Sequence, residues 1–177
     1  MYLLDSDVFI NAKNRHYGFD IVPAFWDWLR QANAAGRVYT VERCAEEVMA
    51  GGDELADWMH AQAATLALKP SPTGQPALEA VSRWAVAAGY RQGAAADFLS
   101  VGDYFLVAQA LSHGYAVVTQ EEPAPLSQKK IKIPDACRAV GVQWMSPFNM
   151  LRVEGARFTL RGGAAGSQSS SQGMTSA

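Results

Sequence analysis

Tyr2-Leu3-Leu4-Asp5-Ser6-Asp7-Val8-Phe9-Ile10 begins as a short apolar run and passes straight into acid. A second run, Tyr115-Ala116-Val117-Val118-Thr119, leads in the same way into Gln120-Glu121-Glu122. Short apolar runs bounded by polar residues read as strands buried on both faces, the pattern of a parallel sheet. Ligands of open α/β sheets bind in the crevice beyond the carboxyl ends of such strands. Two strands that each end in acid therefore predict one anionic pocket. Crowded carboxylates raise one another's pKa unless a cation neutralises them. The pattern points to a metal site built from oxygen ligands.

Between and around these runs, strand and helix signals alternate. Pro23 opens a helical stretch through Ala32 that Gly36 stops, as proline at a first turn and glycine past a last turn do. Arg37 to Val41 reads as a strand, Glu42 to Ala50 as a helix closed by Gly51-Gly52, and Asp53 to Ala64 as another. The prolines and glycine of 69–76 mark a loop. Helices are expected from about Ala77 to Ala88 and near Ala94 to Leu99. Asp103 starts the most apolar helix, through Leu111 to His113-Gly114, and a helix apolar nearly all round belongs inside. Tyr115–Thr119 and Val142–Met145 supply further strands. Repeated β-α units of this kind predict an α/β fold with helices on both faces of a parallel sheet.

Composition sets the bounds. A chain of 177 residues that is 49% hydrophobic fills one domain comfortably and two poorly. We place that single domain at 1–161 and read 162–177, rich in Gly, Ser and Gln and free of charge, as a disordered tail. A net charge of -2 provides no global field to gather nucleic acid, so a phosphate-bearing partner must be held locally or through metal. The N-terminus carries Asp5 and Asp7 and no basic flank, unlike a signal peptide, and no run has the length of a membrane span. Cys44 and Cys137 show neither metal nor disulfide spacing, and a cytoplasmic protein with two reduced thiols is expected.

Four short motifs, in order, resemble those of PIN-domain nucleases. Leu3-Leu4-Asp5-Ser6-Asp7-Val8 looks like the opening motif, in which the first acid ends strand one. Glu47-Val48-Met49-Ala50-Gly51 resembles the second, a Glu followed by an apolar residue and a Gly four positions on. Asp103-Tyr104-Phe105-Leu106-Val107-Ala108 is similar to the third, an Asp opening a buried helix. Val117-Val118-Thr119-Gln120-Glu121 resembles the fourth, with Glu121 where many relatives have Asp. The likeness runs from Met1 to about Phe158 and looks closest to a bacterial branch with segments like Phe19–Trp28 and Lys129–Cys137. It implies a three-layer α/β/α fold around a mostly parallel sheet of four to five strands. It also implies an endoribonuclease dependent on Mg²⁺ or Mn²⁺, often the toxin of a toxin–antitoxin pair and often a homodimer. Asp5, Glu47, Asp103 and Glu121 would be its catalytic and metal-holding acids, with Asp7 and Thr119 accessory.

Each acid also has a simpler reading. Asp5 suits a turn after a strand, Asp103 an N-cap, and Glu121-Glu122 a solvated loop. Helical periodicity does not separate Glu46 from Glu47, since both lie about 130° from the apolar face of Cys44, Ala45, Val48 and Met49. Only the resemblance, through Gly51, selects Glu47. His16, His60 and His113 share no metal-ligand spacing, so an oxygen site suited to Mg²⁺ or Mn²⁺ is expected rather than zinc. Trp26, Trp28, Trp58 and Trp84 lie in helical stretches and read as core. Lys130 and Lys132, alternating with Ile131 and Ile133, would share one face of an extended segment, either solvated or against substrate phosphates.

The chemistry that fits is hydrolysis of RNA phosphodiesters, with single-stranded or looped RNA the better substrate. Two alternatives stand beside it. Asp5-Ser6-Asp7-Val8 also resembles the Asp-x-Asp opening of haloacid-dehalogenase-like phosphohydrolases, with Asp5 as nucleophile. The other is an inactive binding module on a PIN fold.

Overall fold

The computed structural model describes residues 1–91 and 93–159. Its centre is a five-stranded parallel sheet of β1 (Tyr2–Leu4), β2 (Val38–Val41), β3 (Ala67–Leu68), β4 (Ala116–Val118) and β5 (Trp144–Met145), in the order β3-β2-β1-β4-β5. The expected α/β class and parallel sheet are therefore what the chain forms. The tail at 162–177 lies outside the described residues.

Side chains of a strand alternate between faces, and here the alternation sorts the core into two layers. Tyr2 and Leu4 of β1, with Val118 of β4, pack with Phe9, Phe25, Trp26, Leu29, Leu55 and Met59. Leu3 and Val117, one position off in each strand, pack on the other face with Val81, Phe98, Leu106, Val107, Ile133 and Ala136. The first layer is roofed by α1 (Ser6–Asn11), α2 (Pro23–Ala34), α4 (Glu54–Leu66) and α9 (Pro147–Val153). The second is roofed by α5 (Gln75–Ala87), α6 (Ala94–Ser100), α7 (Gly102–His113) and α8 (Ile133–Val140). Between them α3 (Glu42–Met49) gives Ala45 and Val48 to one side and Cys44 to the other. No residue of α7 from Gly102 to Ser112 is exposed, which answers its nearly all-round apolar sequence.

Most expected elements stand within two residues of their observed bounds. The differences have local causes. The two-residue β3 follows α4 without a turn signal and is too short to carry a period. After β1 ends at Leu4, Asp5 turns the chain into α1, which runs on into a π-helical turn over Ala12–His16 that no local signal marked. The segment expected to be extended through Ile133 ends there, since Pro134 in the first turn starts α8. Tryptophans 26, 28, 58 and 84 belong to the packed layers, and Cys44 and Cys137 are buried free thiols. Among the described residues no helix is long and apolar enough to cross a membrane.

The strand order determines where a site forms. From β1 the chain moves outward to β2 and β3, then returns across the sheet to β4 and β5. The reversal leaves a crevice beyond the carboxyl ends of β1 and β4. The buried Thr40 hydroxyl steadies that edge by donating to the Leu4 carbonyl at 2.6 Å. Thr40→Val keeps the shape and removes this donor, so it should lower unfolding stability by about 1–2 kcal/mol in a urea titration.

Candidate functional site

Register places Leu4 opposite Val118, so the next residues, Asp5 and Thr119, meet as neighbours at the sheet's edge. The Asp5 amide donates to the Val118 carbonyl at 3.0 Å, and the Thr119 hydroxyl donates to Asp5 Oδ2 at 2.9 Å. Asp5 precedes α1 but makes no side-chain cap bond to it. Its carboxyl is free to face the crevice and is only 2% exposed. Asp103 is the second residue of α7 rather than its N-cap, a place held by Val101. Neither acid is spent on the structural task that its sequence position offered.

A cavity of about 280 Å³ lies at this edge, lined by Asp5, Asp7, Glu47, Asp103, Glu121 and Lys130, among others. Thr119 and Lys132 stand behind the lining, bonded to Asp5 and Glu121 respectively. Glu47, not Glu46, faces the cavity: Glu46 pairs with Arg43 on the exposed side of α3. Six acids, Asp97 of α6 among them, from four separate stretches of sequence thus share one space.

Two of the acids are already compensated. Glu121 Oε1 accepts from Lys132 at 2.7 Å and Lys130 at 3.3 Å, while Oε2 accepts from the Ile133 amide at 2.8 Å. Burial works to raise the Glu121 pKa, but these three partners outweigh it and hold the carboxyl below its ordinary value. Glu47 Oε1 accepts from the Gly102 amide at 2.8 Å. Only glycine permits this approach, because a Cβ at 102 would meet Glu47 Oε1 and Cys44 Sγ at 2.9 Å.

Asp5 and Asp103 have no cation or amide in contact: Asp5 accepts only from two hydroxyls, of Thr119 at 2.9 Å and Ser6 at 3.4 Å. Burial first, and then the Asp103 charge, push the Asp5 pKa up to about 7 against the pull of the Thr119 bond. Asp103 is raised to about 6 by burial and then by Glu121, with Lys130 opposing. The donors are all carboxylate oxygens, the set that a hard divalent cation such as Mg²⁺ or Mn²⁺ takes. A cation beside Asp5 and Asp103 would remove their mutual repulsion, so the residues fit a metal. The side chains do not yet form its shell: among the described residues no three His, Cys, Asp or Glu converge closely enough to hold an ion. The cause is visible in the bonds that turn Glu47 toward Gly102 and Glu121 toward its lysines.

Sequence reasoning did not single out Gly102 or the Ile133 amide. Glycine directly before Asp103 was the available signal for a close backbone approach, and Pro134 marked the helix start whose free amide meets Glu121. Lys130 and Lys132 do share a face, with Ile131 and Ile133 buried opposite, and both reach Glu121, Lys132 half-buried and Lys130 still open to solvent.

The chain's sequence matches the family described as Domain of unknown function (DUF4411) over residues 2–158. It belongs to that family. Its fold is similar to the crystal structure of VapBC2 from Rickettsia felis bound to a DNA fragment from their promoter. That match has a TM-score of 0.53 and 12% identity, and covers 82% of this chain and 97% of that one. It is also similar to FitAcB from Neisseria gonorrhoeae, with a TM-score of 0.51 and 19% identity over 84% of this chain and 99% of that one. At these identities the likeness establishes the PIN-like fold that the four motifs implied. No curated protein sequence matches.

The raised Asp5 pKa carries a sign. A folded carboxyl that binds its proton more tightly than in the unfolded chain makes stability fall as pH rises between the two pKa values. Metal-free protein should therefore melt at a higher temperature at pH 5 than at pH 8, as Asp5 loses its charge below about 7. Asp5→Asn keeps an acceptor for Thr119 and no charge. It should be more stable than wild type at pH 8 and should flatten the dependence. A wild-type pH profile in the variant would show that Asp5 does not carry it.

Proposed function

We propose that this chain is a Mg²⁺- or Mn²⁺-dependent endoribonuclease that hydrolyses RNA phosphodiester bonds, acting as the toxin of a toxin–antitoxin pair. The observation that carries the reading is the pair of carboxyls without a cationic partner, buried Asp5 and half-buried Asp103, in one cavity with Asp7, Glu47, Asp97 and Glu121 at the reversal point of the sheet. The two similar structures are of toxin–antitoxin proteins, which supports an antitoxin partner for this chain. We further propose a homodimer acting in the cytoplasm, a catalytic domain spanning 1–161, and single-stranded or looped RNA as substrate.

Asp5, Asp103, Glu47 and Glu121 are the residues that would hold the ion. When bound, the ion supplies Lewis acidity, lowering the pKa of a water and offsetting charge at phosphorus. Thr119 orients Asp5 through the bond to Oδ2, and the Gly102 amide orients Glu47. Asp7, exposed on α1 and lining the same cavity, would be an accessory acid. Lys130 is 64% exposed and 3.3 Å from Glu121, so it can leave for a substrate phosphate. Lys132, 31% exposed and closer at 2.7 Å, is better suited to holding Glu121.

A second reading, an inactive binding module, draws support from the ion pairs that occupy Glu121. Metal titration separates the two. For the enzyme, Mn²⁺ should raise the melting temperature of wild type and switch on cleavage of single-stranded RNA, and Asp5→Asn should lose both responses. Cleavage by Asp5→Asn at the wild-type rate would remove Asp5 from the chemistry. A wild-type protein with no response to Mn²⁺ would favour the binding module. A phosphorylated Asp5 trapped during turnover would instead identify the haloacid-dehalogenase-like route.

Lys130 can be tested apart from the chemistry. On a single strand each phosphate contact adds about 0.7 to the log–log salt slope of binding. Lys130→Ala should lower the slope by that amount, measured by RNA binding across a salt series without divalent ions. An unchanged slope would leave Lys130 as a partner of Glu121 alone.

A further inference from the structure

The lining of the acidic cavity includes two lysines, Lys129 and Lys130, and among the described residues only Lys130 pairs with an acid. Its ammonium lies 3.3 Å from Glu121 Oε1. Lys132 reaches the same oxygen at 2.7 Å but is not part of the lining. A carboxylate oxygen has two lone-pair positions, so the two lysines fill Oε1. The Ile133 amide donates to Oε2 at 2.8 Å. Lys130 is therefore the donor on the cavity side of Glu121.

The other acids of the lining share that charge. Burial works to lower the Lys130 pKa, but Glu121, and after it Asp103 and Asp7, outweigh it and hold the ammonium above its ordinary value. In return Lys130 opposes the rise of Asp103. One monovalent group thus stands against several carboxylates. The pair is also easily opened, since the Lys130 side chain is 64% exposed and part-exposed ion pairs are weak. Lys132 and the Ile133 amide would hold Glu121 in place without it.

We propose that Lys130 is an exchangeable counter-ion of the site: it gives up its place on Glu121 Oε1 to the divalent cation, and its released ammonium turns to a phosphate of the RNA. The proposal rests on the ribonuclease reading and adds a coupling between the two ligands of that site. Cation and Lys130 compete for one oxygen, while Glu121 and phosphate compete for one ammonium. Opening the pair once serves both ligands. Each should then strengthen the other, by the same factor in either order.

A lysine in the cavity would weaken cation binding through its field alone, wherever its ammonium pointed. Exchange differs in needing Glu121 as the partner. Lys129 supplies the control, because it lines the same cavity without meeting an acid among the described residues.

The test measures Mn²⁺ affinity of the full chain by electron paramagnetic resonance without RNA. Separately, it measures affinity for a single-stranded RNA without divalent ions. Lys130→Met keeps an unbranched stem and loses the charge; Glu121→Gln loses the charge and keeps an acceptor for the Ile133 amide. Lys130→Met should tighten Mn²⁺ about two- to fivefold, the range of a part-exposed ion pair, and far less when combined with Glu121→Gln. Lys129→Met should change Mn²⁺ affinity equally with and without Glu121→Gln. Glu121→Gln should tighten metal-free RNA by a factor similar to that for Mn²⁺, and the gain should vanish when combined with Lys130→Met. Asp97→Asn, which removes a lining charge that no lysine meets among the described residues, should tighten RNA less. The RNA series decides alone where Glu121→Gln binds Mn²⁺ too weakly to follow.

Equal effects of Lys130→Met with and without Glu121→Gln would overturn the exchange and leave a Mn²⁺-binding nuclease standing. Mn²⁺ binding that appears only in Lys130→Met would support it. Failure of every variant to bind Mn²⁺ would overturn exchange and nuclease together. The predicted coupling in a protein that cleaves no RNA would support the exchange and count against the nuclease alone.

Discussion

The parallel pairing of β1 with β4 is the contact on which the candidate site depends. These strands lie more than a hundred residues apart in sequence, yet the Leu4–Val118 register brings Asp5 and Thr119 side by side. Parallel neighbours need a crossover connection, and here almost two thirds of the chain serves as one, building β2, β3 and the helices of both layers on the way. The apolar faces of β1 and β4 are buried by that intervening chain. The burial stabilises the sheet and at the same time removes water from Asp5. The fold and the high pKa of Asp5 thus share a cause: a carboxyl placed one residue beyond a fully buried strand pair.

The cavity divides into two electrostatic halves. Around Glu121, two lysines and a helix-terminal amide supply more positive charge than one carboxylate needs. Around Asp5 and Asp103 there is none in direct contact among the described residues. The repulsive half is the one nearest the sheet's reversal point. A small cation of high charge density complements it, while the excess positive charge on the other side complements a phosphate. Opposite charges thereby occupy separate places in a protein whose net charge is only -2.

Much of this was legible in the sequence because acids following short apolar runs mark strand ends. Asp5 and Glu121 could be placed at one sheet edge from that pattern alone. Glu47 could not, since helical periodicity left Glu46 equally placed. The deciding contact is long-range, from the Gly102 amide 55 residues away. The pairing of Lys130 and Lys132 with Glu121 was equally hidden. Alternation correctly puts both on one face, but which charge meets that face depends on the loop that folds back from β4. The two-residue β3 lacked any period, and the π-helical turn at Ala12–His16 departs from the spacing that helix signals assume. Segments whose conformation is dictated by tertiary contacts leave little trace in local pattern.

The loop after β4 and the start of α8 brace each other. The Ile133 amide donates forward to Glu121, and Asp135, two residues on, accepts back from the Ala124 amide. Each bond joins a charged group to a backbone amide, a class that contributes roughly 1.5–3 kcal/mol. Together they resemble a capping box drawn across a loop instead of within a helix. The brace explains why a buried carboxyl is tolerated at position 135, since its Oδ2 has a structural partner whether or not Oδ1 has one. It also ties the loop that carries Lys129, Lys130 and Ile131 along the acidic cavity to the first turn of α8. Loosening Glu121 to accept a metal would release only one of the two bonds. The other, at Ala124, would keep the loop tied to α8.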